Sequence, residues 1–179
     1  MATPAHLKKG KTVMYPHHGA AKIIEISDRV SVKNRNNPDA KPEPHLLLRV
    51  DITSLEIWVP QSSVMDEGED AVPIRKVIDD EQIKEVKKCL RAEFVEEPTN
   101  WSRRFKANKE KLDKGEIMKV AEVVRDLWRR DQDKGLSAGE KNMLGKARQT
   151  LESEWALAKG ITLEAATAEV EKVLSTKRD

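Results

Sequence analysis

The sequence is poor in the residues that mark most enzymes and secreted proteins. It has one cysteine, one tyrosine and two phenylalanines in 179 residues. A lone cysteine, Cys89, excludes an internal disulfide and fits a reducing compartment, so a cytoplasmic protein is expected. Its helical surroundings suggest a half-buried thiol rather than a nucleophile. No apolar run approaches the roughly 20 residues that a bilayer-spanning helix needs. Met1 to Gly10 carries charge without an apolar core behind it, which argues against a signal peptide. No Ser/His/Asp or Cys/His grouping suggests catalysis. Gly10-Lys11-Thr12 would end a phosphate loop, but Ala5 stands where the earlier glycine belongs and the following residues read as a strand. His17 and His18 are adjacent, so in a strand they face opposite ways, and no cysteine lies near them. Neither a metal nor another cofactor is expected.

What is abundant is charge: 33 Lys and Arg against 31 Asp and Glu, for a net +2. That balance does not announce a nucleic-acid partner, but its distribution is uneven. Asp66, Glu67, Glu69 and Asp70 form an acidic cluster. Between Thr99 and Lys111, Arg103, Arg104, Lys106, Lys109 and Lys111 face only Glu110.

Hydrophobic periodicity changes along the chain. From Lys11 to about Val64 there are short β-rich runs, Thr12–Tyr15, Ala21–Ile26, Leu46–Val50 and Leu55–Val59, separated by Pro16 and Gly19, by a polar loop from Asn34 to Pro44, and by Thr53-Ser54. Several short strands in so few residues suggest a small closed or half-closed barrel. Beyond the acidic stretch the period becomes helical. Pro73 is expected to open a short helix holding Ile74, Val77 and Ile78. Asp79 or Asp80 caps a helix with Ile83, Val86, Leu90 and Phe94 on one face. From Glu116 a stripe of Ile117, Val120, Ala121, Val124, Leu127 and Trp128 follows. Ser137-Ala138-Gly139-Glu140 is a capping box opening a helix with Met143, Leu144, Ala147, Leu151 and Trp155. Gly160 ends it, and Thr162 starts a last helix using Leu163, Ala166, Val170, Val173 and Leu174. The expected fold is α+β: a β domain over 1–72, with a 1–9 extension and a 66–72 acidic linker, and a compact all-α domain of about five helices over 73–179.

One segment is chemically unusual. Pro98-Thr99-Asn100 reads as a helix start, with Thr99 or Asn100 as N-cap. Trp101 then lies on the first turn, with Arg103, Arg104 and Lys106 close behind. A helix N-terminus carries partial positive charge, so cations there cost a few tenths of a kcal/mol each. Two readings follow. Either a polyanion supplies the missing negative charge and Trp101 is a wedge of the kind minor-groove proteins insert into DNA, or Trp101 anchors the helix in a core and the cations are its solvated face. Arg129 and Arg130 end a helix, where the dipole favours cations anyway. Lys141 follows the capping box, where exposed backbone N–H groups suit a phosphate.

Tyr15-Pro16-His17-His18-Gly19-Ala20-Ala21, Glu96 to Arg104 around Trp101, Lys119 to Asp131 with its Val-Arg-Asp-Leu-Trp-Arg-Arg run, and Gly135 to Lys141 together resemble the bacterial CarD/CdnL family. Its members are RNA polymerase-binding transcription regulators. The likeness runs from about Lys9 to Leu157 in the same order. It implies a Tudor-like β-barrel at the N-terminus that docks on the RNA polymerase β subunit, with Arg29 matching a basic residue used there. Trp58, in the last strand, stands where family members often carry a basic polymerase-contacting residue; it is a second candidate polymerase contact at which this chain departs from the pattern, and core, interface and exposed placements stay open for it. It further implies a helical domain lying on promoter DNA at the upstream edge of the melted bubble, without sequence readout. Trp101 would enter the minor groove, and Arg103, Arg104, Lys106, Lys141 and Arg130 would lie on phosphates. The implied protein is a non-enzymatic global regulator that stabilises the open complex, a monomer associated with the nucleoid through polymerase. Two other classes remain at this point: an architectural DNA-binding protein acting without polymerase, and a protein adaptor without DNA contact.

Overall fold

The computed structural model describes residues 5–15, 19–34, 36–50, 54–65, 74–92 and 98–176. The chain divides into two compact units, Met1–Val77 and Ile78–Asp179. The first is an antiparallel sheet and the second is helical, so the fold is α+β.

In the first unit, β1 (Thr12–Tyr15), β2 (Gly19–Arg29), β3 (Glu43–Val50) and β4 (Glu56–Pro60) run as an antiparallel meander. A short helix, α1 (Gln61–Met65), precedes β5 (Arg75–Lys76), and the strand order is β4-β3-β2-β1-β5. Period-two alternation sorts the faces. Leu46, Leu48 and Val50 of β3 bury with Val13, Ala21, Ile23 and Val59, and Leu7 and Ile74 join the same core. The alternate residues of β3 fall on the opposite face, where Trp58 stands directly across from Leu47. Gly19 opens β2 at φ +81°, a conformation that glycine adopts without a Cβ penalty.

One expectation is corrected here. Ile74 and its neighbours do not start a helix: Arg75 and Lys76 pair with Met14 and Val13 as an edge strand. Ile74 is buried in the sheet core, and the open edge of β1 offers backbone partners that a short isolated helix could not match. Pro73, the acidic stretch 66–70, His17, His18 and Phe94 lie outside the described residues.

The second unit contains α2 (Asp80–Arg91), α3 (Trp101–Asp113), α4 (Ile117–Asp133), α5 (Ala138–Lys159) and α6 (Leu163–Ser175). Local chemistry sets their ends. Asp79 and Gln82 form a capping box on α2, and Asn100 caps α3 by accepting the Arg103 N–H. Ser137 and Glu140 form the capping box of α5, Gly160 ends that helix at φ +63°, and Thr162 caps α6. Helix α4 packs against α2, α3 and α5, and α6 against α5 and α2. The shared core includes Ile83, Val86, Leu90, Val120, Val124, Leu127, Leu151, Trp155 and Val170. Trp155 is fully buried, and its indole N–H donates to Glu169 Oε2 at 2.9 Å. Trp128 packs partly buried against the same core, whereas Leu163, expected on the buried stripe of α6, is exposed. Among the described residues no helix is long and apolar enough to cross a membrane, and no cluster of His, Cys, Asp or Glu could hold a metal ion.

Candidate nucleic-acid interface

Three helix ends meet around one carboxylate. The first turn of α3 supplies Trp101 and Arg104, the last turn of α4 supplies Arg130, and the start of α5 supplies its cap Ser137 with Gly139 and Glu140 of the first turn.

Trp101 is the first residue of α3 and is 49% exposed, so it is not a core anchor. Its ring stacks on Phe105, one turn along, with centroids 5.3 Å apart and planes inclined by 29°. Its indole N–H donates to Ser137 Oγ at 3.0 Å. Gly139 lies beneath the pair: a Cβ there would sit 3.4 Å from Phe105 Cε2 and 3.9 Å from Trp101 Cζ2. The result is an aromatic side chain fixed at its root and open on its outer side.

Arg104 departs from the expectation. The resemblance implies a phosphate contact for it, as for Arg103 and Lys106, yet it is only 3% exposed. Its Nε and Nη2 both lie 2.8 Å from Glu140 Oε1, and its Nη1 donates to the carbonyls of Pro98 and Thr99. The negative charge that the start of α3 lacks in its own first turn is therefore supplied for Arg104 from inside the protein. Its guanidinium braces α3 against α5 and is not free to grip a phosphate. Burial acts to raise the pKa of Glu140, but hydrogen bonds from Ser137 and Arg104 outweigh it and hold the carboxyl below the usual carboxylate range.

The remaining cations are placed differently. Arg103 is exposed. Lys106 is exposed one turn further on, with only a loose 3.9 Å pairing to Glu110. Lys141 is exposed beside Glu140 on the first turn of α5. Arg130 is intermediate: its side chain is 25% exposed, its Nε lies 3.8 Å from Glu140 Oε1, and that buried Nε makes no hydrogen bond among the described residues. The Val-Arg-Asp-Leu-Trp-Arg-Arg run owes its character mainly to packing. Arg125 and Asp126 are buried as a pair at 2.7 Å, and Arg129 donates to the Leu90 carbonyl. Sequence reasoning missed Phe105 and Gly139 and took Ser137 and Glu140 only as a helix cap. The spacing of Phe105 one helical turn after Trp101 was the available signal.

In the first unit, Arg29 and Trp58 come together although 29 positions and a strand separate them: the Arg29 guanidinium carbon lies 4.1 Å from the centre of the Trp58 ring. Arg29 is exposed and Trp58 half-buried. A stacked cation of this kind is worth about 0.5–1 kcal/mol at an exposed site, enough to hold the arginine head over the sheet face.

Residues 85–171 match the family model described as "CarD, C-terminal domain". A relative from Bacillus subtilis (strain 168), "Putative transcription factor YdeB", is 31% identical over 153 residues, covering 86% of this chain and 92% of its own length. The chain belongs to the CarD family. The second match is too long to lie in the helical unit alone, so the likeness reaches into the sheet unit as well. The span matched to the CarD C-terminal domain holds Trp101, Arg103, Arg104, Lys106, Arg130 and Lys141 together.

Proposed function

We propose that this CarD-family protein regulates transcription by holding RNA polymerase and promoter DNA at once. The sheet unit docks on the polymerase β subunit through the face bearing Arg29 and Trp58. The helical unit lies on the DNA at the upstream edge of the bubble. Exposed Arg103, Lys106 and Lys141, with Arg130 at the margin, sit on phosphates, which position the protein without reading sequence. Trp101 enters the minor groove at the fork. The observation that carries this reading is the half-exposed Trp101, fixed by Ser137 and Phe105, on a helix whose Arg103 and Lys106 are exposed, with Lys141 exposed on the first turn of α5. A protein that binds the open promoter better than the closed one shifts the equilibrium by the difference in affinity, and only by that. A difference of about 1–3 kcal/mol changes open-complex occupancy roughly 5- to 150-fold.

Two measurements test the two surfaces separately. On the full chain, Arg29→Glu should weaken binding to purified polymerase about tenfold, the scale of one interfacial charge, with an unchanged circular dichroism spectrum. Wild-type affinity in that variant would remove Arg29 from the interface. For the DNA surface, titration of duplex DNA at several salt concentrations should give a shallower slope of log K against log salt when Arg103, Lys106 and Lys141 are replaced by alanine. Each true phosphate contact is worth about 0.9 in that slope. A slope identical to wild type would return these side chains to the solvated face.

A further inference from the structure

The indole N–H of Trp101 can only donate, so the group that accepts it decides where the ring points. That group is the Ser137 hydroxyl, at 3.0 Å. The same oxygen donates to Glu140 Oε2 at 2.7 Å and receives the backbone N–H of Glu140 at 3.3 Å. A hydroxyl has one proton and two lone pairs, and all of them are assigned. While Glu140 is ionised the assignment cannot reverse. A carboxylate has no proton to give, so Ser137 must turn its own toward it, and a lone pair is left facing the indole.

Glu140 is itself held. It is 2% exposed, its Oε2 also accepts the Ser137 backbone N–H at 3.1 Å, and its Oε1 receives Arg104. Arg104 returns to the carbonyls of Pro98 at 3.1 Å and Thr99 at 3.3 Å, just before the cap of the helix that Trp101 begins. The bonds form a closed circuit from the indole through Ser137, Glu140 and Arg104 back to the start of α3. Phe105 supports one face of the ring, and Gly139 leaves room for both.

We infer that Glu140 is a positioning residue for Trp101. Its buried carboxylate fixes the Ser137 rotor and the Arg104 brace, so the indole is already oriented before DNA arrives. Preorganisation of this kind removes an ordering cost from binding. The inference rests on reading Trp101 as the DNA-contacting aromatic, but its first test does not need DNA.

Glu140→Gln keeps the shape and leaves one acceptor oxygen where there were two. If that oxygen stays with Arg104, the new NH2 faces the Ser137 N–H and takes a hydroxyl lone pair from the indole. If the oxygen turns to Ser137, the NH2 faces the guanidinium. In the free full-length protein, the Trp101 indole proton, identified by its loss in Trp101→Phe, should exchange with water about three- to tenfold faster in Glu140→Gln, the worth of one hydrogen bond. The indoles of Trp58, Trp128 and Trp155 should keep their resonances. Unchanged exchange at Trp101 overturns the inference. Should Glu140→Gln fail to fold, Ser137→Ala removes the acceptor while leaving Glu140 with Arg104 and should expose the indole similarly. Ser137→Thr keeps the hydroxyl and should restore slow exchange. Slow exchange in Ser137→Ala would equally overturn the inference.

The promoter arm separates this inference from the reading beneath it. Glu140→Gln should shorten promoter-complex lifetime about three- to tenfold when Trp101 is present and add nothing when Trp101→Ala is already in place. Equal shortening in both backgrounds overturns it, because Glu140 would then act by another route. If Trp101→Ala alone leaves the lifetime unchanged, the DNA reading fails, while the exchange measurement still decides whether Glu140 positions the ring.

Discussion

Arg104→Ala should destabilise the helical unit by about 3–5 kcal/mol, whereas Arg103→Ala, one residue away, should stay within about 0.5 kcal/mol of wild type. The difference follows from burial. Arg103 is exposed, while Arg104 is 3% exposed and forms an ion pair with a carboxylate as buried as itself. Removing the guanidinium leaves Glu140 charged in a dry site, with Ser137 donating and Arg130 too distant for a hydrogen bond. The Pro98 and Thr99 carbonyls lose the same donor. The effect has a pH signature. In the wild type the Glu140 carboxyl is held below its ordinary range, so its contribution is present at neutral pH and lost as pH falls through the depressed folded value. In Arg104→Ala the carboxyl keeps the Ser137 hydrogen bonds but loses the cation that also lowers it, so it moves back up from its depressed value and the penalty is greatest at neutral pH. The gap between variant and wild type should therefore narrow as pH falls toward about 4, the ordinary carboxylate range. Urea melts at both pH values check this. A midpoint equal to wild type at pH 7 would return Arg104 to the surface role first expected for it.

That pair of adjacent arginines also shows what the sequence made legible and what it hid. Helix ends were readable because their causes are local. Asn100, the Ser137–Glu140 box, Gly160 and Thr162 each act within about four residues, and each stands at the boundary its chemistry suggests. Pairing across distance was not readable. The strand β5 exists because the edge of β1 accepts Arg75 and Lys76, and no signal near Pro73 reveals that partner. The fate of Arg104 is set by Glu140, 36 residues away. The two fully buried residues of α3 are polar, Arg104 and Asn108 at a spacing of four, while Phe105 and Leu112 are only partly buried, and a count of apolar residues passes over such a stripe. Charge alone could not separate Arg103 from Arg104; only burial does. The same applies to the site around Trp101. Its exposure, the Phe105 stack and the Ser137 acceptor are tertiary facts, whereas its place on the first turn of a basic helix was visible from the start.

Trp101→Ala should shorten the lifetime of the polymerase–promoter complex by about one to two orders of magnitude while leaving polymerase affinity unchanged. A base-stacking or wedging aromatic contributes about 1–3 kcal/mol, which corresponds to roughly a 5- to 150-fold change. The cost to the free protein should be smaller. Trp101 is half exposed, and its truncation forfeits one hydrogen bond to Ser137 and one stack on Phe105, about 1–3 kcal/mol in sum and toward the lower end for so exposed a ring. Trp155→Ala makes the contrast. That ring is fully buried among the helices, and its loss should cost about 3–5 kcal/mol. Trp101→Phe should fall between wild type and alanine in promoter lifetime, because it keeps an apolar aromatic at the fork but gives up the donor that Ser137 holds. Stopped-flow or footprinting decay of the promoter complex, beside melting curves of the three variants, separates the possibilities. If Trp101→Ala melts as early as Trp155→Ala, its effect on the promoter is a folding effect and the wedge is lost. If it melts near wild type and the complex decays quickly, the indole acts on DNA directly, and the bonds that hold it at the helix start serve to aim it.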